Sequence, residues 1–154
     1  VAALVAALPS TSFPLLAGTV GDDVTYHATL VSLLGASDVV ILACPATQQT
    51  IGMINRETLA QMKRGAVLVN SARGTLVDDD ALIEALENGH LGGAALDVFN
   101  NEPRLDPRYF QHPNIFMTPH IGSSTIEARI SMAEILRDGM LTHFAGRIPD
   151  NLVG

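Results

Sequence analysis

Apolar positions along this chain gather into short unbroken runs closed by polar or glycine-bearing turns, and between the runs they recur at helical spacing. Residues 39–43 (Val-Val-Ile-Leu-Ala) form a run of strand length closed by Cys44-Pro45. Residues 66–70 form a second run, rich in β-branched side chains, that reads as a buried strand. Residues 94–98 and 115–118 repeat the pattern. Between the runs, residues 30–34 read as a short helix that stops around Gly35. Asn55 is placed to cap a helix carrying Leu59 and Met62 and ending at Gly65. Asp78, Asp79 and Asp80 crowd the start of a third helix, where the dipole favours anions, and Leu82, Ile83 and Leu86 follow at helical spacing before Gly89. These three aspartates read as one solvated helix turn rather than a metal site. Ser124 and Glu127 have the spacing of a capping box, opening a long helix with Ile126, Ile130, Ala133, Met140, Leu141 and Phe144 on one stripe. That stripe is apolar enough to require something beyond the sheet to pack against. Four strands alternating with helices predict an α/β fold with a parallel sheet.

The beginning of the chain is less regular. Residues 1–8 read as a short Ala-rich helix broken by Pro9-Ser-Thr-Ser12, residues 13–20 as an extended piece, and residues 24–27 as a short strand. The first residue is Val rather than Met, so the expectation is a sequence that opens inside a longer protein or at a processed or mispredicted start.

Composition narrows the class. At 154 residues, 47% hydrophobic and 16% charged, the chain can bury a core of its own, and disorder is not expected. A formal net charge of -7 repels phosphodiester backbones, which argues against nucleic acid as a partner. No apolar run approaches the ~18 residues that span a bilayer, so no membrane partner is expected. The single cysteine, Cys44, excludes an internal disulfide framework and a Cys-based metal cage, and a cytoplasmic location is the corresponding expectation. Cys44 itself reads as a small packing residue, because no basic neighbour in sequence would activate its thiol.

Three consecutive strands each deliver a polar group at the carboxyl end: Arg73, then Asp97 with Glu102 beyond it, then His120. In an open parallel sheet, ligands bind past the carboxyl ends of the strands. Taken alone, Arg73 reads equally as a surface residue closing a loop. With the others it makes a cation, a carboxylate and an imidazole available to one crevice. A guanidinium fork binds a carboxylate bidentately. An imidazole can give or take a hydroxyl proton, and a carboxylate beside it favours the charged ring. His27, His90, His112 and His143 read as structural or solvent-facing. The chain has no Gly-x-Ser-x-Gly elbow and no His/Cys cluster at metal spacing.

The strings Cys44-Pro-Ala-Thr47 with Thr50, Met62-Lys-Arg-Gly65, Asn70-Ser-Ala-Arg-Gly74, Leu96-Asp-Val-Phe99 with Glu102-Pro103, and Thr118-Pro-His-Ile-Gly122 occur in order. Together they resemble the D-isomer-specific 2-hydroxyacid dehydrogenases, most of all the glyoxylate/hydroxypyruvate reductase and phosphoglycerate dehydrogenase branch, over residues 24–154. The resemblance implies a Rossmann-like sheet: the carboxyl-terminal half of a dinucleotide-binding domain (residues 23–121), then a helix and tail (122–154) returning to a substrate domain that precedes it in the family. Residues 1–22 are unassigned, a candidate remnant of the first helix and second strand.

The same resemblance implies roles. Arg73 orients the substrate carboxylate and carbonyl, His120 is the general acid/base, and Glu102 is its carboxylate partner. Asp97 meets the nicotinamide carboxamide. Cys44, Pro45, Thr50, Ser71, Ala72 and Arg73 line the cofactor, with His120, Gly122 and Ser123 near the nicotinamide end. The implied cofactor is NAD or NADP, the substrate a small 2-keto acid, and the assembly a homodimer of the full-length parent. The family's Gly-x-Gly-x-x-Gly phosphate loop has no counterpart, since no two glycines here are separated by a single residue. Asp22 or Asp23 is the candidate ribose-binding carboxylate. The isolated chain is therefore expected to be poorly active or inactive. A non-catalytic nucleotide-sensing or interaction protein on the same scaffold, or an inactive fragment, is the alternative.

Overall fold

A computed structural model of the chain describes residues 2–5, 25 and 27–151. They divide into two compact units, residues 1–119 and 120–154, taken here one at a time.

The first unit is built on five parallel strands: β1 (Ala2–Val5), β2 (Val39–Leu42), β3 (Val67–Asn70), β4 (Gly93–Leu96) and β5 (Ile115–Met117), lying side by side in sequence order. Each neighbouring pair is in parallel register, as in Val40↔Leu68, Leu68↔Ala94 and Leu96↔Met117. Three helices connect the strands: α1 (Leu30–Ala36), α2 (Arg56–Leu59) and α3 (Asp79–Glu87). α1 packs on α2, and α2 on α3. Leu34 from α1, Leu59 from α2, and Leu82 and Leu86 from α3 share one core with Val40, Leu42, Leu68 and Leu96 of the strands. Alternation along β2 and β3 follows from the pleat. Val40, Leu42, Leu68 and Asn70 are buried, while Val39, Ile41, Val67 and Val69 are only half-buried.

Several expectations change. The α/β parallel sheet stands, with five strands rather than four, because Ala2–Val5 is a strand and not part of a helix. Alanine favours a helix locally, but the open edge of β2 offers a full ladder from Ala2↔Val39 to Val5↔Leu42. Tertiary pairing overrides the propensity. The expected extended piece at 13–20, and Asp22 and Asp23, lie outside the described residues. Of the expected strand at 24–27, only Thr25 and His27 are described, and neither belongs to a regular element.

Asn55 caps α2 as its sequence implies. Its side chain accepts from the Glu57 and Thr58 amides, while the Thr58 hydroxyl accepts from the Asn55 amide. The helix nevertheless ends at Leu59. The next turns tighten to i→i−3 bonds, Gln61 N–H to Thr58 O and Met62 N–H to Leu59 O, and the chain leaves through Gly65 at φ +81°. Gly65 N–H then donates to His90 O at 2.7 Å, which draws the segment onto the loop after α3 and away from the helix axis. Asp78 caps α3 by accepting from the Ala81 amide at 3.0 Å.

The second unit carries α4 (Ile126–Phe144). Its N-cap is Thr125, whose hydroxyl accepts from the Ala128 amide at 3.1 Å, not Ser124, whose Oγ instead accepts from Arg129. No residue of α4 is buried. Among the described residues, no helix is long and apolar enough to cross a membrane.

Candidate active site

The site-bearing turns of the first unit hang on the carboxyl ends of β2, β3 and β4. After β2, Thr50 is buried and turns its hydroxyl back on its own loop, donating to Pro45 O at 2.7 Å and accepting from the Thr47 amide at 2.8 Å. Cys44 is buried with its Sγ 3.8 Å from Met53 Sδ, as a packing residue would be. Pro45 is exposed on the rim.

After β3, residues 70–74 form a turn held from inside by Asn70, which is 1% exposed. Asn70 Nδ2 donates to Arg73 O at 2.9 Å, and its Oδ1 accepts from the Ala72 amide at 3.1 Å. Ser71 and Arg73 are exposed, Ala72 is buried, and Arg73 Nη1 donates to Ala72 O at 2.6 Å. Arg73 is extended (φ −149°, ψ 140°) and leads directly into a 3₁₀ turn, Gly74–Leu76.

Gly74 is required here, but not for a left-handed bend, because its φ is ordinary. A Cβ at that position would sit 2.0 Å from the Phe99 carbonyl carbon and 2.5 Å from Asn100 N. The turn after β3 therefore lies directly against the loop after β4.

That second loop carries Asp97 and Glu102. β4 ends at Leu96, so Asp97 sits one residue past it, half-buried. Its backbone N–H donates to Asn70 O at 2.9 Å, and its Oδ1 accepts from Thr118 Oγ1 at 2.6 Å. Glu102 Oε1 accepts from the Phe99 amide at 2.7 Å, folding the loop back beside the Gly74 contact. The Glu102–Pro103 peptide is cis, and Asn101 before it has φ 58°.

Asp79 ties the rest of the loop down, so it is more than a solvated residue. Its Oδ1 accepts from Asn100 Nδ2 and from the Tyr109 hydroxyl, each at 2.7 Å, and Asn100 also donates to Val77 O. Burial, and then the bond to Asp79, push the Tyr109 phenol well above its usual ionisation range. Arg108 reaches Asp80 and Asp106, holding the Asp106 carboxyl below the ordinary carboxylate range.

Arg73, Asp97 and Glu102 thus share one edge of the sheet on mutually braced turns. His120 opens the second unit, two residues after Thr118, at φ 52°, a left-handed backbone uncommon for a non-glycine residue. His120, Gly122 and Ser123 are exposed. Three of the remaining histidines read as expected: His90 Nε2 is bonded to Leu59 O at 2.9 Å, His112 Nδ1 accepts from the Asn114 amide, and His143 is exposed beside the Phe144 ring. Among the described residues, no group of three or more His, Cys, Asp or Glu side chains could hold a metal ion.

Sequence reasoning gave Asn70 no role of its own and read Asp79 only as part of a solvated helix turn, whereas Asn70 holds the turn under Arg73 and Asp79 holds the loop that carries Glu102. The available signal for Asn70 was a carboxamide ending an otherwise apolar strand.

A nicotinamide cofactor fits this edge. A half-buried carboxylate held in place by Thr118, beside the exposed turn at Ser71 and Arg73, supplies an acceptor and a backbone surface past the strand ends, where such ligands bind.

Residues 17–122 match the family described as D-isomer specific 2-hydroxyacid dehydrogenase, NAD binding domain. The chain is 49% identical over 127 residues to a glyoxylate reductase of Pyrococcus furiosus, covering 82% of this chain and 38% of that protein. The crystal structure of the TT0316 protein from Thermus thermophilus is 45% identical, with a TM-score of 0.78 over 88% of this chain and 44% of that one. A D-isomer specific 2-hydroxyacid dehydrogenase from Xanthobacter autotrophicus Py2, in complex with NADPH and MES, is 36% identical, with a TM-score of 0.72 over 81% of this chain and 51% of that one. The chain therefore spans roughly two fifths to one half of the length of these three proteins.

Proposed function

This chain belongs to the D-isomer specific 2-hydroxyacid dehydrogenase family, and from that premise we propose that the protein carrying it reduces a small 2-keto acid of the glyoxylate or hydroxypyruvate type to a D-2-hydroxy acid with NAD or NADP. The observation that supports this reading is the braced edge itself. Arg73, Asp97 and Glu102 stand on turns locked by the Asn70 bonds and the Gly74 approach to Phe99, the preorganisation that an oriented reaction requires.

Arg73 is the carboxylate clamp, since a guanidinium presents two parallel donors to a carboxylate. Asp97 accepts from the carboxamide of the nicotinamide. His120 is the general acid that protonates the substrate oxygen during reduction and the base in the reverse direction, with Glu102 as its carboxylate partner. Cys44, Thr50 and Ala72 shape the cofactor edge from within, Pro45 and Ser71 from its exposed rim, and Gly122 and Ser123 from the segment after His120. When bound, the nicotinamide supplies the hydride; this chain's residues supply orientation and the proton. Residues 23–121 are the nucleotide-binding part, and 122–154 return to the substrate-binding part of a homodimeric parent.

The test is oxidation of NADH or NADPH by the full-length parent with a panel of small 2-keto acids. His120→Gln is expected to lower kcat at least ~10²-fold with cofactor affinity nearly unchanged. Arg73→Ala is expected chiefly to raise the substrate KM. Cofactor binding without turnover of any acid would overturn the catalytic reading in favour of a nucleotide-binding module.

A further inference from the structure

The reading above gives no part to Asn70, yet this side chain makes the bonds on which the turn depends. A carboxamide sealed in an apolar core costs free energy unless its hydrogen bonds are made. Asn70 is 1% exposed, and both ends of its amide are used within the same turn, Nδ2 on Arg73 O and Oδ1 on the Ala72 amide. Its own backbone carbonyl accepts from the Asp97 amide. One residue therefore holds the backbone on which Arg73 stands and, across the sheet, the first residue past β4. Leucine would fill a similar volume but would leave the Ala72 N–H and the Arg73 C=O without these partners.

We infer that Asn70 is a positioning residue, which fixes the backbone of Arg73 relative to Asp97 so that clamp and carboxamide acceptor keep one spacing. The inference rests on the roles proposed above for those two residues. Asn70 touches neither substrate nor cofactor in this scheme; it acts through the turn.

Two readouts separate it from the reading it rests on. Amide hydrogen exchange on this chain reports the turn alone. In Asn70→Ala, the Ala72 amide should exchange at least ~10-fold faster while the Leu68 amide inside β3 keeps its protection. Asn70→Asp preserves volume and the acceptor for Ala72, but sets an oxygen against the Arg73 carbonyl. It should keep Ala72 protected without restoring function, and it carries the test if Asn70→Ala does not fold.

Steady-state kinetics of the full-length parent report the consequence. Both variants should raise the KM for glyoxylate at least ~10-fold while the dissociation constant for the reduced cofactor stays within about twofold. Unchanged Ala72 exchange in Asn70→Ala overturns the inference while leaving the proposed reaction standing. Faster exchange with an unchanged KM also overturns it. Absence of turnover by the unsubstituted parent defeats the proposed function and the kinetic half of the inference together, whatever the exchange shows.

Discussion

α3 and α4 begin alike and end differently. Each starts at a side-chain cap, Asp78 for one and Thr125 for the other, and each carries aliphatic residues at helical spacing. α3 buries five of its nine residues in the core it shares with α2 and the strands, and α4 buries none of its nineteen. On α4, Ile126, Ile135, Leu136, Leu141 and Phe144 are all exposed. Met132, Ile135 and Leu136 form a second apolar stripe beside the one expected, so this helix is apolar on more than one side. A helix patterned in that way is suited to more than one packing partner. The contrast teaches that periodicity marks which face an element can bury, whereas burial itself requires a surface to receive it.

The largest test of the contrast lies in the braced edge that α3 supports. Gly74→Ala places a methyl group 2.0 Å from the Phe99 backbone, and neither turn can yield without breaking the Asn70 and Glu102 bonds. Destabilisation beyond ~4 kcal/mol is expected, enough to abolish cooperative unfolding by circular dichroism. A well-folded variant would show that the two turns are less tightly joined than described.

A matched pair of truncations addresses the helices directly. Leu82→Ala, at a fully buried position, should cost ~2–5 kcal/mol in urea unfolding. Leu136→Ala, at a position 64% exposed, should leave the midpoint unchanged. Equal losses would erase the distinction.

A smaller effect is expected at Tyr109. Tyr109→Phe removes a hydroxyl donor to Asp79 and should cost roughly 1–2 kcal/mol near neutral pH. The folded phenol holds its proton to higher pH than the unfolded chain does. Its stabilising contribution is therefore complete below the ordinary tyrosine value of about 10, and is lost as pH rises through that value toward the folded one. Alkaline unfolding monitored by tyrosinate absorbance should become less steep in Tyr109→Phe.

The smallest change is expected at the exposed pair Arg56–Glu84 between α2 and α3. Arg56→Ala should not measurably move the unfolding midpoint, because solvent and salt screen such pairs. A clear loss there would mean that surface charge helps to distinguish the first unit from α4.

Strands β2 and β3, the cap at Asn55, the acidic start of α3 and the stop at Gly89 were legible because each depends on neighbours a few residues away. Ala2–Val5 were misread as helical because alanine propensity is local, while the ladder that settles them comes from residues nearly forty positions along. The helix expected to run from the Asn55 cap to Gly65 was drawn too long, since it ends at Leu59 and the bond from Gly65 to His90 is not written in its own spacing. Arg73, Asp97, Glu102 and His120 were visible as polar residues punctuating apolar runs. The residues that aim them were not, since a buried carboxamide and a solvated one look the same in a string of letters.

The order of apolar runs and turns, by itself, determined a parallel α/β sheet and the identity of the groups past its strand ends, because strand length, pleat and capping are set by short-range sterics and hydrogen bonding. Only the tertiary structure decided that Gly74 serves contact rather than curvature, that Asn70 joins two strand ends, and that α3 is covered while α4 is not. Those outcomes depend on which distant backbone arrives beside each residue.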